Sequence, residues 1–306
     1  MWVSHAGAPL PKRLNAATGA RDGRDIIECR PLIDSLDASP TMRLSLEQRD
    51  AYRRDGFLIF PDLVAPVEIA ELRAEVARLM QVDSEGVVRE GSTGAPKSMF
   101  RLHEPDGAAA SLPFRRLSRS PQILGVAQQV LDDERLYLHH SKVNVKAAIE
   151  GSIWPWHQDF GSWHLDGIER PDMATTMVML DDATELNGCL YFLPGSHRWG
   201  RANAVLDTST AYRLWSVSLD DMKHRMAESP PPVAVTGHAG TVAIFHCNLM
   251  HSSGHNLSHQ DRWQAYFCFN TCVNRPHDVP EPRPDYVRSR NWVPMTLIAD
   301  EAAVAA

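Results

Sequence analysis

The spacing of apolar positions divides the chain into a helical first part and a second part of short strands. Ser45 and Gln48 have the spacing of a capping box, which predicts a short helix ending near residue 56. The continuous apolar run at 57–60 is typical of a buried strand. Pro66 suits the first turn of a second helix, where a missing N–H costs nothing. The predicted apolar face of that helix comprises Ile69, Leu72, Val76 and Leu79.

Three further segments before residue 136 are assigned from the same pattern and from composition. Residues 121–131 carry an apolar stripe and predict another helix. Residues 84–98 contain four glycine or proline residues, which predicts a mobile loop. Residues 1–40 show no clear periodicity. We therefore expect a poorly structured N-terminal arm over 1–40 and a single domain over 41–306.

From residue 136 onward, short apolar runs alternate with glycine and proline turns. The predicted strands are 136–146, 173–180, 189–193, 233–235, 241–246 and 263–270. Helices followed by many short strands indicate an α+β chain built around an all-β jelly roll. We expect the N-terminal helices to pack on that jelly roll.

Composition and charge exclude several classes of partner. The 306 residues are 43% hydrophobic and carry 31 Lys and Arg against 38 Asp and Glu, a formal net charge of −7. No sustained basic stripe is present, which argues against nucleic acid as a partner. Apolar runs such as 241–245 are too short to cross a membrane. The expected partner is a small-molecule substrate, bound by a monomer or a homodimer.

Cysteine usage and the N-terminus indicate the compartment. The five cysteines show no paired metal-binding spacing, which favours reduced thiols. The N-terminal segment lacks the apolar stretch of a signal peptide and contains several acidic residues. We therefore expect a cytoplasmic protein.

One pair among the fourteen histidines and many carboxylates has the geometry of a metal site. In an extended strand, His157 and Asp159 project on the same face and can share one ion. A third ligand must come from a distant strand, and His251 follows a strong strand signal. Two imidazoles and one carboxylate leave half of the coordination sphere open, which suits non-haem Fe(II). Zinc accepts the same ligands but usually settles for four positions.

The residues after His251 point to a dicarboxylic cosubstrate. Arg262 lies eleven residues further on, near the start of the next predicted strand, where it can bind the remote carboxylate of 2-oxoglutarate. Ser253 can add a hydroxyl to the same carboxylate. His246 precedes the same strand exit and competes with His251 as the ligand. Only His251 has the neighbouring serine and arginine, and we prefer it for that reason.

Three motifs together resemble the phytanoyl-CoA dioxygenase family, over about residues 45–275. They are His157-x-Asp159, the segment 187–197 (Asn-Gly-Cys-Leu-Tyr-Phe-Leu-Pro-Gly-Ser-His), and the segment from His251 to Arg262. The resemblance implies a double-stranded β-helix, His157, Asp159 and His251 as ligands of Fe(II), and Arg262 with Ser253 on 2-oxoglutarate. Oxygen would be the second cosubstrate.

Within that family, the segments 140–146 and 156–167 are similar to ectoine hydroxylase-like members. By this resemblance, Asn144 contacts the keto acid end of 2-oxoglutarate and Trp154 packs against it. The chain departs from the hydroxylase pattern at three positions, with His140 in place of Gln, Lys142 in place of Arg and Trp154 in place of Phe. The loss of the arginine counts against ectoine itself as the substrate.

The predicted reaction is hydroxylation of an unactivated C–H bond. Related halogenases replace the carboxylate ligand with a small residue, so Asp159 argues against halogenation and leaves desaturation and ring formation as alternatives to hydroxylation. The expected substrate is a small amino-acid-like or carboxylated metabolite, with specialised biosynthesis as a candidate pathway, and its predicted contacts are His140, Lys142, Trp163 and His164. Two alternatives stay open: a jelly-roll metal-dependent isomerase or hydrolase that does not use 2-oxoglutarate, and a metal-free binding module.

Overall fold

A computed structural model of the chain describes residues 42–90, 93–151, 153–208 and 214–298. The predicted arm over 1–40 lies outside these ranges. The helices are α1 Leu46–Asp55, α2 Pro66–Leu79, α3 Leu112–Leu117, α4 Val126–Leu131, α5 Phe160–Trp163 and α6 Leu219–Ala227. The strands are β1 Phe57–Phe60, β2 Val87–Arg89, β3 Pro96–Phe100, β4 Leu136–Lys146, β5 Trp154–His157, β6 Met173–Met179, β7 Leu190–Phe192, β8 Ala204–Asp207, β9 Leu214–Val217, β10 Val233–Val235, β11 Val242–His246, β12 His251–Ser253 and β13 Arg262–Thr271.

The strands form two antiparallel sheets. The larger sheet has seven strands in the order β1-β11-β6-β13-β4-β3-β2, and the smaller has six in the order β10-β7-β12-β5-β9-β8. Strands adjacent in a sheet are mostly distant in sequence, which is typical of a jelly roll. The predicted α+β fold with a double-stranded β-helix core is confirmed.

Alternate residues of the two longest strands face opposite sides of the larger sheet. One set packs against the N-terminal helices in the main hydrophobic core, for example Val143, Phe267 and Phe269 beside Leu72 and Val76. The other set faces the smaller sheet, and its polar members are Lys142, Asn144, Lys146, Arg262, Gln264 and Tyr266. The alternation therefore builds a polar interior between the sheets and a hydrophobic core outside it.

The local predictions for the first helices hold in detail. The Ser45 hydroxyl accepts from the backbone N–H of Gln48 at 3.1 Å, and the Gln48 side chain accepts from the Ser45 N–H at 2.8 Å. Helix α1 ends at Gly56, whose φ of 87° lies in the left-handed region that glycine adopts without strain. The second helix begins at Pro66, and its four predicted apolar residues are all buried.

Two local predictions need correction. The predicted loop at 84–98 contains the hairpin of β2 and β3, because β3 pairs with the edge of β4 through Ser98, Met99 and Phe100. Pairing to an existing strand thus overrides the glycine and proline content. The predicted helix at 121–131 begins as a π-helical turn over Pro121–Gly125 before α4.

Two further features concern membrane-spanning helices and the state of the cysteines. Within the described ranges, no helix is both long and apolar enough to cross a membrane. The four cysteines in these ranges, Cys189, Cys247, Cys268 and Cys272, are free thiols.

Candidate metal centre and its pocket

The three predicted ligands converge where β5 and β12 lie side by side. His157 and His251 are directly opposite one another in the antiparallel pair, and their ring centroids are 4.1 Å apart. Asp159 follows β5 by two residues, and its Oδ1 lies 3.9 Å from Nε2 of His251. One ligand atom from each residue lies within 4.8 Å of the others. Among the described residues this is the one group of histidine, cysteine and acidic side chains with that geometry.

Backbone carbonyls fix the orientation of both imidazoles. Nδ1 of His157 donates to the carbonyl of Pro155 at 2.7 Å, and Nδ1 of His251 donates to that of Leu249 at 2.9 Å. These bonds leave the two Nε2 lone pairs for a metal. Burial lowers the pKa of His251 and holds that of His157 well below its usual value. Both rings are thus neutral, the state in which imidazole binds a metal.

A threonine that the sequence analysis did not identify holds the carboxylate ligand. The Thr175 hydroxyl donates to Oδ2 of Asp159 at 2.8 Å, which leaves Oδ1 directed towards the histidines. Thr175 lies on β6, a strand that the sequence predicted without indicating its partner. A hydrogen bond to a ligating carboxylate orients it and tunes its basicity.

The triad borders a pocket of about 380 Å³ between the two sheets. Its lining residues are Lys142, Asn144, Trp154, His157, Asp159, Thr175, Leu190, Phe245, His251, Tyr266 and Cys268. Two imidazoles and one carboxylate on one side of an open pocket match the facial arrangement of non-haem Fe(II) sites. His246 stands outside this group, with its Nδ1 accepting from the backbone N–H of Asn248 at 3.0 Å. The geometry thus favours His251 over His246.

The predicted cosubstrate residues Arg262 and Ser253 are buried in the same interior between the sheets. Arg262 is 1% exposed, and its Nε and Nη1 groups have no hydrogen-bond partner among the described residues. Burial lowers the pKa of Arg262, but a guanidinium stays charged in proteins. Buried polar groups are nearly always paired, so these two orphaned donors indicate a ligand with acceptor atoms. The Ser253 hydroxyl, on the adjacent sheet, accepts from Nζ of Lys146 at 2.9 Å.

Asn144 and Trp154 both lie on the pocket wall. The Asn144 side-chain oxygen accepts from the Ser98 hydroxyl at 2.8 Å, and the Asn144 side chain also contacts the Tyr266 hydroxyl. The Trp154 ring lies 6.5 Å from that of His157. Nζ of Lys142 lies 5.0 Å from the centroid of the Trp154 ring.

The structure brings only one of the four predicted substrate residues to the pocket wall, namely Lys142. Nδ1 of His140 donates to the carbonyl of Val287, away from the triad. Trp163 is 2% exposed and packs in a small hydrophobic cluster. Both ring nitrogens of His164 are engaged by a backbone carbonyl and an arginine outside the pocket. Trp163 and His164 therefore pack within the segment after the ligand pair, and His140 contacts Val287 and Phe100, rather than lining the pocket.

Comparison with known sequences gives the same family that the motifs indicate. The phytanoyl-CoA dioxygenase (PhyH) family profile matches residues 52–263. An ectoine dioxygenase from Nocardia farcinica is 32% identical over 283 residues, covering 88% of this chain and 93% of that protein. An L-proline trans-4-hydroxylase from Streptomyces griseoviridis is 33% identical over 268 residues, covering 83% and 96%.

Solved structures extend the similarity to the fold. EctD from S. alaskensis, crystallised with 2-oxoglutarate and 5-hydroxyectoine, superposes with a TM-score of 0.70 at 28% identity. The match covers 89% of this chain and 91% of that one. The iron-bound form of the same protein gives a TM-score of 0.71 at 28% identity, covering 88% of this chain and 92% of that one.

Proposed function

We propose, since the chain belongs to the phytanoyl-CoA dioxygenase family, that it hydroxylates an unactivated C–H bond of a small carboxylated, amino-acid-like metabolite. The predicted family is confirmed, and the protein is a dioxygenase that depends on Fe(II) and 2-oxoglutarate. One observation carries the proposal furthest. A His-Asp-His triad with neutral imidazoles and a buried arginine with two N–H groups that have no partner among the described residues belong to the same interior.

The side chains have separable tasks in this reaction. When bound, Fe(II) with 2-oxoglutarate and O₂ supplies the oxidising power, and succinate and carbon dioxide are the co-products. Nε2 of His157, Nε2 of His251 and a carboxylate oxygen of Asp159 hold the metal. Arg262 and Ser253 hold the distal carboxylate of 2-oxoglutarate.

The resemblance supports two further cosubstrate contacts and the reaction outcome. Asn144 and Trp154 line the pocket, and by the resemblance Asn144 would contact the keto acid end of 2-oxoglutarate while the Trp154 ring would pack against the cosubstrate. Asp159 occupies the position that halogenases leave to chloride, so the proposed outcome is hydroxylation. The orientation of Asp159 is set by Thr175, which keeps the carboxylate from rotating away from the metal.

The pocket supports a small substrate. The pocket is confined between the two sheets, and the cosubstrate must share it with the substrate. Ectoine and L-proline, which the two related enzymes are named for, are both small nitrogen-containing carboxylates. The same chemical class is therefore our proposal for this chain.

Lys142 is the residue that we assign to the substrate carboxylate. Its ammonium group lies on the pocket wall between the rings of Trp154 and Tyr266, 5.0 Å and 5.3 Å from their centroids. A flexible ammonium above aromatic faces can bind a carboxylate while the rings pack on the substrate body. The replacement of the arginine found in ectoine hydroxylases by this lysine supports a substrate other than ectoine.

A metal-dependent isomerase or hydrolase is less well supported. Such an enzyme would use the triad but would leave the buried Arg262 guanidinium without a function. A metal-free binding module would leave the triad itself unexplained. The predicted cytoplasmic location and the monomeric or homodimeric state stay predictions.

The test measures 2-oxoglutarate turnover and binding. Purified protein with Fe(II) and ascorbate is expected to form succinate slowly, and faster when a substrate from a panel of cyclic and linear amino acids is added. Substrates and their carboxamides should be compared in the wild type and in Lys142→Met. We expect the substitution to remove the preference for the carboxylate form. Absence of both succinate formation and calorimetric 2-oxoglutarate binding would refute the dioxygenase mechanism.

A further inference from the structure

Gln158 directly follows β5 and separates the two metal ligands of that segment. Those ligands line the pocket, whereas the Gln158 side chain leaves the backbone on the opposite face and is 2% exposed. Its Nε2 donates to the carbonyl of Asn248 at 2.7 Å and to that of Gly200 at 2.8 Å. Its Oε1 accepts from the backbone N–H of Ala202 at 2.7 Å. Both amide hydrogens and the amide oxygen therefore have partners, and this one side chain joins the ligand segment to two others.

The first of these two segments is the turn that precedes His251. In this turn, the carbonyl of Leu249 accepts from Nδ1 of His251 and so orients the imidazole ring. The turn is held a second time, because the Ser196 hydroxyl accepts from the backbone N–H of Met250 at 2.9 Å. A displacement of the turn would therefore also displace the His251 ring. Gln158 thus links the segment that carries two ligands to the backbone that orients the third.

The second segment, residues 200–202, contains a backbone conformation that requires glycine. Gly200 has a φ of 72° and a ψ of −166°, in a region of backbone angles that is essentially limited to glycine. Among the described residues, no atom lies within 4 Å of the position that a Cβ would occupy, so the requirement concerns conformation and not space. Nη1 of Arg201 also donates to Nε2 of His164, in the turn after the ligands, at 2.9 Å. The carbonyl that Gln158 binds is thus directed by a conformation specific to glycine.

We propose that Gln158 is a positioning residue, which acts through the turn before His251 and holds the three ligands in a facial arrangement before Fe(II) binds. This inference rests on the proposed function, in which the triad holds Fe(II). An amide suits the position, because two donors and one acceptor are needed there at once. A carboxylate would place its oxygens against the two carbonyls, and an apolar side chain would leave three backbone groups without this partner. Loss of the amide should therefore loosen the ligand geometry and weaken Fe(II) binding.

The test measures metal binding without turnover. Anaerobic titration gives the affinity for Fe(II), and the d–d absorption of bound Co(II) reports the ligand geometry. The variants are Gln158→Met, which removes all three hydrogen bonds, and Gly200→Ala, which disturbs one of them from its other end. Gln129→Met is the matched control, because Gln129 also donates to two backbone carbonyls and accepts from one backbone N–H, but does not line the pocket. Gln158→Met is expected to weaken Fe(II) binding about 10- to 100-fold and to change the Co(II) spectrum, Gly200→Ala to do so less, and Gln129→Met to change neither.

Urea unfolding without metal separates positioning from a general loss of stability, since both glutamine variants remove three hydrogen bonds. Lower stability of Gln158→Met with unchanged Fe(II) affinity and Co(II) spectrum would overturn the inference and leave the proposed function standing. Equal weakening of Fe(II) binding in Gln129→Met would also overturn it, because metal affinity would then follow overall stability. If Gln158→Met does not fold, Gly200→Ala decides, and unchanged Fe(II) affinity in that variant contradicts the inference. If the wild type itself binds no Fe(II), the proposed function fails and the inference fails with it.

Discussion

Two arginines of this fold, the largely buried Arg283 and the fully buried Arg262, have opposite surroundings. Arg283 donates to both carboxylate oxygens of Asp166, at 2.6–3.1 Å, and Asp166 also accepts from His139 at 3.0 Å. Burial alone would raise the pKa of Asp166, but Arg283 and His139 outweigh it and hold that pKa well below its usual range. Arg262 lies opposite Lys146 rather than a carboxylate, and two of its donors have no partner among the described residues.

The difference separates architecture from ligand binding. The Asp166 network fastens the proline-rich segment 276–284 to the loop after the metal ligands, where the backbone N–H of His277 also donates to the carbonyl of Gly167. That segment is thus held in place by partnered charges rather than being a loose surface tail. A buried cation whose hydrogen-bond donors all have partners contributes to the stability of the fold. A buried cation with unpaired donors is able to bind an anion. Four predictions test this contrast.

The largest expected effect comes from breaking the partnered charge. Asp166→Asn leaves Arg283 mostly buried without its counter-charge, so we expect the free energy of unfolding to fall by about 3–5 kcal/mol in urea titrations. Asp172→Asn is the matched control, because its ion pair with Arg170 is about half exposed and contributes at most about 1 kcal/mol. Equal losses in the two variants would contradict the structural role of the network.

Removing the unpartnered charge should affect ligand binding instead. Arg262→Met is expected to raise the Kd for 2-oxoglutarate by about 100-fold, because a buried carboxylate loses its partner. Stability without the cosubstrate should not fall, since the substitution removes an uncompensated buried cation. Calorimetry with 2-oxoglutarate and, separately, with Fe(II) checks both statements. A large loss of stability with unchanged 2-oxoglutarate affinity would mean that Arg262, like Arg283, has a structural role.

The burial of Lys146 opposite Arg262 also predicts how the stability of the protein depends on pH. Burial, with Arg262 and Lys97 nearby, lowers the pKa of Lys146 to about 6, while Cys189 opposes the shift. Between pH 6 and the ordinary lysine pKa, the unfolded chain binds one proton more, so this group makes stability rise with pH by up to about 1.4 kcal/mol per unit. Lys146→Met should lack that contribution. The free energy of unfolding should be measured in urea at pH 7 and pH 9, without cosubstrate. We expect Lys146→Met to be more stable than the wild type at pH 7, and this difference should be smaller at pH 9.

The sequence predicted the parts of the site that are local or form a motif. His157 and Asp159 lie two residues apart on one strand, and His251 and Arg262 belong to one segment, so short-range patterns were sufficient for them. The strands at 57–60 and 136–146 were bounded correctly because their apolar runs end at turn residues or charges.

The missing parts depend on which strands become neighbours. A lysine at the end of a strand, such as Lys146, is usually solvated, and only its pairing with β13 shows that it is buried opposite Arg262. Trp163 was predicted to line the pocket, but it packs in a hydrophobic cluster. The sequence does not show on which side of its loop an aromatic residue near the ligands will pack. The sequence analysis did not predict helix α6, the strands β8 and β9, or the hairpin at 84–98. Their local sequence patterns do not indicate these elements unless the neighbouring strand or helix is known.

The smallest expected effect concerns two adjacent threonines, Thr175 and Thr176. They are uncharged, but they differ in the same way as the two arginines, because one hydroxyl has a hydrogen-bond partner and the other has none among the described residues. Thr175 faces the pocket and donates to Asp159, whereas the buried Thr176 hydroxyl has no partner. Thr175→Val frees the carboxylate to rotate, so Fe(II) affinity should fall about tenfold. Thr176→Val removes only an unsatisfied hydroxyl and should leave Fe(II) affinity unchanged, with stability equal or higher. Anaerobic Fe(II) titrations of both variants give the comparison. Similar losses in the two would mean that packing of β6, rather than the hydrogen bond, positions the ligand.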